Sequence, residues 1–265
     1  MRRTMASKPS EPLLRFVIGG VQKAGTTALG RYLGAHPMLQ LPRGKEAHVF
    51  DAPDFDDAAT PLQVDTRYSL LFDAASDETT DDTLHGDATP FYLVRAEVIA
   101  RIARYNPAMR WIVLLRDPVE RAISQHHMER QRRKERWPLP LALLLERGRL
   151  RRDAGNLTGG SSLRRHSYLA RGDYASQLDA LYAHFPREQV LLLRSDELRV
   201  TPALVVARAC AFLGVRAPSA DTTYAPVFTG DYPRIPRGSL RWHLLRWWFR
   251  HELRTMRERY ELRFD

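Results

Sequence analysis

Lys23, Thr26 and Thr27 fall close together in the stretch FVIGGVQKAGTTALGRYLGAHP, residues 16–37. The stretch opens apolar, passes through glycines and closes in a helical pattern, so it reads as strand, loop and helix. A loop of this kind turns backbone N–H groups and the positive end of a helix toward an anion. Gly20 and Gly25 have the separation of an NTP-binding loop, Gly-x-x-x-x-Gly-Lys-Ser/Thr, but Thr26 stands where that lysine belongs. The lysine of this loop, Lys23, comes before the second glycine. In an NTPase the later lysine reaches the β- and γ-phosphates and the hydroxyl holds Mg²⁺. Its loss argues against a triphosphate. A lysine earlier in the loop suits a group being transferred and its bridging oxygen.

A second element is WIVLLRDPVERAISQHHM, residues 111–128. Arg116 ends an apolar strand pattern, and Ser124 lies about two turns into the helix that follows. Ligands of open α/β sheets sit at the carboxyl ends of strands, so Arg116 can point into the same cleft as the Lys23 loop. An arginine fork with a hydroxyl suits a second phosphate; the competing role for Arg116 is a salt bridge to Glu120. WIVLLRD also has the look of a strand ending in a magnesium-binding Asp117. Pro118 makes Asp117 a helix cap instead, and no metal site is expected.

These residues need elements to hold them. Residues 14–19, 111–115 and 190–193 read as short buried strands. Helical patterns cover residues 26–34, 94–105, 118 onward, 173–185, 202–213 and 240–260, several closed by glycine or proline. Strands alternating with helices predict an α/β fold, a P-loop-like central parallel sheet flanked by helices. Residues 51–87 are rich in acids with one apolar island, YSLLF, and read as a surface excursion carrying a short helix. LPRGKEAHVFD, residues 41–51, reads as a turn followed by an extended segment. The charge run ERQRRKERW reads as a solvated helix face, and residues 153–162 as a flexible loop. Residues 1–12 are expected to be a disordered tail before one domain, residues 13–265.

Net charge is +10 and the hydrophobic fraction 44% in 265 residues, which points to anionic partners. Cys210 is the single cysteine, so no disulfide forms within the chain. No apolar run is long enough to span a bilayer, and the first residues lack the apolar core of a secretion signal. A cytoplasmic protein without stable membrane insertion is expected.

The two motifs together, QKAGTTAL and WIVLLRDPVERAISQH, resemble the sulfotransferases that use 3′-phosphoadenosine 5′-phosphosulfate (PAPS). GKEAHVFD, DATPFY and GDYASQLDALYAHFPREQVLLLRSDEL extend the resemblance, which is closest to the heparan sulfate N- and 3-O-sulfotransferase branch. It implies that Lys23, Ala24, Gly25, Thr26 and Thr27 hold the 5′-phosphosulfate and that Arg116 and Ser124 hold the 3′-phosphate. Glu46, in GKEAHVFD, falls where relatives carry the general base, and Lys23 falls where charge grows on the leaving phosphate oxygen. In an extended segment His48 shares a face with Glu46 and is the reserve base. Ala88 stands where animal members carry a lysine, and the adenine-side loop FTGDYPRIPRG offers Tyr232 or Arg237. The resemblance implies PAPS as co-substrate, no metal, and a small-molecule or glycan acceptor rather than nucleic acid.

Two other readings fit parts of the chain. A P-loop kinase of a small metabolite fits the glycine loop but needs the missing lysine and a metal-binding acid. A nucleic-acid or anionic-membrane binding module fits the net charge and the tail, where Trp242, Trp247, Trp248 and Phe249 are set among arginines.

Overall fold

A computed structural model of the chain describes residues 11–44, 46–73, 82–156, 158–219, 221–227 and 235–264. The strands are β1 (Leu14–Ile18), β2 (Leu39–Gln40), β3 (Leu84–Asp87), β4 (Arg110–Leu115) and β5 (Val190–Arg194). They form one sheet in the order β2-β3-β1-β4-β5, every neighbouring pair parallel. Parallel strands need crossovers, and helices supply them. The helices are α1 (Thr26–Gly34), α2 (Pro61–Ser69), α3 (Ala96–Tyr105), α4 (Pro118–Gln131), α5 (Leu139–Arg152), α6 (Ser162–Arg165) and α7 (Tyr174–Tyr182), which lie between the strands, and α8 (Ser195–Val200), α9 (Pro202–Leu213), α10 (Leu240–Trp248) and α11 (Arg250–Tyr260), which follow β5. Among the described residues, no helix is long and apolar enough to cross a membrane.

The central strands β1 and β4 are apolar because helices cover both faces of the sheet. Phe16, Val17, Ile18 and residues 111–115 are fully buried. A second, smaller core lies under α4, α5 and α10, where Val119, Ile123, Leu143, Trp242 and Phe249 meet. The order of the strands places a topological switch between β1 and β4, since the chain leaves them toward opposite halves of the sheet. That crevice is where ligands of such sheets bind.

Two expectations are corrected. Residues 51–73 and 82–87 are not a surface excursion. Val64, Tyr68 and Phe72 of that stretch belong to the main core, and Phe50 packs its ring 5.4–5.8 Å from those of Phe55, Tyr68, Tyr92 and Tyr105. Such ring pairs contribute about 0.5–1.5 kcal/mol each beyond simple burial, which explains why an acid-rich segment is held down. The segment around residues 46–51 is not extended either, since His48 has φ +53°.

The remaining differences lie in short or charged stretches. Strands β2 and β3 are short, and helix α5 lies in a stretch read without an element. The charge run beyond α4 turns at Arg133, with φ +58°. It buries Glu135, which accepts from Tyr168 Oη at 3.0 Å and from Arg149 Nη2 at 3.1 Å. The expected tail, residues 1–12, lies outside the described residues except for Glu11 and Pro12.

Candidate active site

The glycine loop runs from β1 straight into the crevice. Its first part continues the ladder with β4: Gly19 N donates to the Ile112 carbonyl at 3.1 Å and Val21 N to that of Leu114 at 2.9 Å. Gly20 sits so close to β4 that an added Cβ would lie 2.4 Å from the Leu114 nitrogen. Gly25 caps α1 with φ +102°, a conformation other residues resist. Lys23 adopts φ +73°, a backbone strain of about 1–3 kcal/mol for a non-glycine residue. In the first turn of α1 the Ala28 amide donates to the Gly25 carbonyl at 2.9 Å, while the amides of Thr26 and Thr27 come too early in the helix for an i−4 acceptor and lie at the positive end of its dipole. Thr26 is buried, Thr27 is half-buried, and Ala24 is buried with its amide donating to the Val21 carbonyl at 3.1 Å. Ala24 thus shapes the turn, and Thr26 and Thr27 open α1.

Arg116, at the end of β4, reaches this loop. Its Nη1 donates to the Lys23 carbonyl at 3.0 Å, while Nε and Nη2 donate to one Glu120 oxygen at 3.2 and 3.1 Å. Arg237 donates to the other Glu120 oxygen at 2.9 Å, so it belongs to the same corner; Tyr232 lies outside the described residues. Burial works to raise the Glu120 carboxyl, but Arg237 and Arg116 hold it below its ordinary value. Ser124 is buried on α4, one turn beyond Glu120 and one turn before Met128, whose sulfur lies 3.8 Å from Lys23 Nζ. The i, i+4 spacing sets all three on one helix face. Lys23, Arg116 and Ser124 therefore converge. Asp117 is the cap that its sequence predicts: its side chain accepts from Val119 N at 2.8 Å and Glu120 N at 3.1 Å. Arg246 pairs with it at 3.2 Å.

Glu46 leads a chain of charged groups on the other side of the loop; Lys45 beside it lies outside the described residues. A Glu46 oxygen is 3.1 Å from His48 Nε2, and Asp51 is 3.0 Å from His48 Nδ1. Burial works to lower the His48 pKa, but the hydrogen bonds to Asp51 and Glu46 outweigh it and push it up to about 9. At neutral pH the ring therefore carries its proton and donates from both nitrogens. Asp51, fully buried, also binds the Arg164 guanidinium.

Arg164 lies 4.0 Å from the centre of the Phe91 ring and Arg171 5.0 Å from it. Arg171 Nη1 donates to the side-chain oxygen of Gln22 in the glycine loop. Burial and the neighbouring Arg121 and Arg164 bring the Arg171 pKa down to about 9, against the pull of Glu46. This set links Glu46 to the Lys23 loop. The sequence reading missed Asp51, Phe91, Arg164 and Arg171; Asp51 and Phe91 lie inside quoted motifs, whereas the arginines carry no local signal in so arginine-rich a chain. Asp87, next to Ala88, is committed to the scaffold: it accepts from Tyr68 Oη, Tyr92 Oη and Thr89 Oγ1, each at 2.7 Å.

A parallel sheet whose adjacent strands deliver a glycine loop and an arginine to one crevice defines a P-loop-like α/β protein. The family model described as "Sulfotransferase domain" matches residues 14–224, and the chain belongs to that family. Human heparan sulfate glucosamine 3-O-sulfotransferase 3B1 is 30% identical over 238 residues, which cover 89% of this chain and 55% of the relative. Mouse bifunctional heparan sulfate N-deacetylase/N-sulfotransferase 3 is 28% identical over 224 residues, 84% of this chain and 24% of the relative. The chain thus spans about half the length of the first of these curated relatives, and less of the second. Among solved structures, a sulfotransferase from Alicyclobacillus acidocaldarius has a TM-score of 0.71 at 29% identity, covering 92% of this chain and 94% of its own.

Proposed function

We propose that this protein moves a sulfuryl group from PAPS to a hydroxyl or amine of an acceptor, a carbohydrate or another metabolite. The observation that carries the reading is the Arg116 contact with the Lys23 carbonyl. It brings cations suited to two separate phosphates into one crevice, as a 3′,5′-bisphosphate nucleotide requires and a triphosphate does not. The residues fit such a nucleotide. Lys23 and the amides of Thr26 and Thr27 meet the 5′ end; Arg116 and Ser124 meet the 3′-phosphate; Arg237 lies on the same side. PAPS, when bound, supplies an activated sulfuryl group on a phosphate leaving group.

The chain's own residues do the rest. Glu46 accepts the proton of the attacking hydroxyl or amine. Protonated His48, held by Asp51, orients that carboxylate. Lys23 meets the negative charge that grows on the leaving phosphate oxygen, a preorganised cation in a partly dry site. With Lys23 and the loop amides in that role, the reaction needs no metal in this reading. Two relatives named for heparan sulfate favour a carbohydrate acceptor. A cytoplasmic location is part of the reading; its support is Cys210, buried and free.

The test is incubation with labelled PAPS and a panel of oligosaccharides, alcohols and amines, with and without EDTA. Transfer of label to an acceptor, retained under chelation and lost in Glu46→Gln, is the expected result. Mg²⁺-dependent phosphoryl transfer from ATP with no use of PAPS would overturn it.

A further inference from the structure

Helix α10 is apolar on two faces, and the fold accounts for only one. Trp242 and Leu245, with Phe249 at its end, are buried in the second core. On the opposite face Leu240 is 75% exposed, Leu244 57% and Trp247 58%. Their i, i+4, i+7 spacing lines them up within about 60° of the helix circumference. The stripe then changes character. Arg250 lies 4.1 Å from the centre of the Trp247 ring and donates to the Trp247 carbonyl at 2.9 Å. From there exposed Arg250, Arg254 and Arg257 repeat the same spacing along α11. Arg254 has an acid neighbour, Glu258, at 4.0 Å, an exposed pair that holds the arginine weakly.

We propose that this surface, Leu240–Leu244–Trp247 continued by Arg250–Arg254–Arg257, docks the protein on an anionic phospholipid bilayer. Leucines and a tryptophan enter the boundary of headgroups and acyl chains, and arginines beside them meet lipid phosphates while their stems cover apolar surface. The chain's net charge of +10 favours approach to such a surface. Other occupants fit less well. Nucleic acid would match the arginines but leave two exposed leucines without a partner. A second copy packed about a two-fold axis parallel to α10 would match the leucines but set the arginine rows near one another, and an antiparallel packing would leave the arginine rows outside the apolar contact. The contact is peripheral, since no described helix can cross the bilayer.

The test uses the full chain with sedimenting vesicles of phosphatidylcholine alone or mixed with phosphatidylglycerol. Expected is co-sedimentation with the mixed vesicles, weakened by added salt, and little with phosphatidylcholine alone. Leu244→Gln with Trp247→Gln should lower partitioning by roughly tenfold or more. Arg254→Gln with Arg257→Gln should lower it about fivefold for each arginine lost, and Arg199→Gln, on α8, should leave it unchanged. Thermal melts of each variant confirm folding. The proposal is overturned if wild type ignores anionic vesicles or if both double variants partition like wild type. It is equally overturned if Trp247→Gln abolishes a concentration-dependent dimer while vesicles bind nothing, or if the patch variants lose affinity for DNA only.

Discussion

Arg116 ties the glycine loop to the first turn of α4 with one side chain: Nη1 holds the Lys23 carbonyl at 3.0 Å, and the other two nitrogens hold Glu120. The strained turn at Lys23 is thereby fastened to the end of β4, so in the proposed reading the cation assigned to the 3′-phosphate also fixes the loop assigned to the 5′ end. Arg116→Ala should weaken binding of 3′-phosphoadenosine 5′-phosphate by about 2–5 kcal/mol, the usual cost of truncating one side of a desolvated charge pair. Binding of AMP, which lacks the 3′-phosphate, should change much less. Calorimetry with the two nucleotides checks this, and an equal loss for both would remove Arg116 from the 3′ side.

Glu46→Gln keeps the shape of the side chain but cannot take a proton. Single-turnover transfer should fall by about 10²–10⁴-fold, with nucleotide affinity nearly intact. Lys23→Ala should weaken both, because the proposed mechanism has it meet donor and leaving group alike. In the proposed mechanism the His48 ring orients and Glu46 accepts, so His48→Ala should be milder than Glu46→Gln. The reverse ranking would transfer the proton-accepting role to His48.

His48 also predicts a trend in stability. Its folded pKa of about 9 lies above the ordinary value of 6.5, so the folded state holds this proton more tightly than the unfolded chain. The resulting stabilisation is complete below about 6.5 and is lost as pH rises through 9. Thermal melts from pH 6 to pH 10 should therefore fall more steeply for the wild type than for His48→Gln. Parallel curves would mean the ring is neutral in the folded protein.

Glu252 carries a trend of the same sign in a lower pH window. It is buried on α11, and its Oε1 accepts from Tyr174 N at 3.0 Å and Ala175 N at 3.1 Å at the start of α7. Burial, aided by nearby Asp173, pushes its carboxyl up to about 7. Between pH 4.5 and 7 the unfolded chain releases this proton and the folded one keeps it, so stability falls as pH rises through that window. Glu252→Gln retains an oxygen for both amides and removes the titration. Its stability relative to wild type should improve from pH 5 to pH 8 in denaturant titrations; an unchanged difference would show that Glu252 ionises normally.

The parts of this site that could be read from sequence are those whose roles are local. The Lys23 loop depends on glycines at Gly20 and Gly25 and on helical spacing after Thr26. The Asp117 cap depends on Pro118 beside it. Both are properties of a few adjacent residues. Strand β3 is different: LHGD has no strand character, and its place comes from pairing with β1, where Gly86 lies against Phe16. Arg164 and Arg171 are defined by Phe91 and Asp51, and His48 by a left-handed turn that no alternation pattern encodes. The aromatic contacts of Phe50 and Tyr68 are also long-range, which is why residues 51–87 read as surface.

The contacts that draw the site together join residues far apart in the chain: 93 positions from Lys23 to Arg116, 113 from Asp51 to Arg164 and 149 from Gln22 to Arg171. Closing loops of that length comes late in folding, after local helices have formed. A chain emerging from the ribosome therefore gains helices well before it gains a cleft, and Gln22 waits for Arg171 to be synthesised. Nucleotide affinity should accordingly be a property of the finished fold alone, absent from every compact intermediate, and a bound nucleotide should raise the barrier to unfolding at its first step.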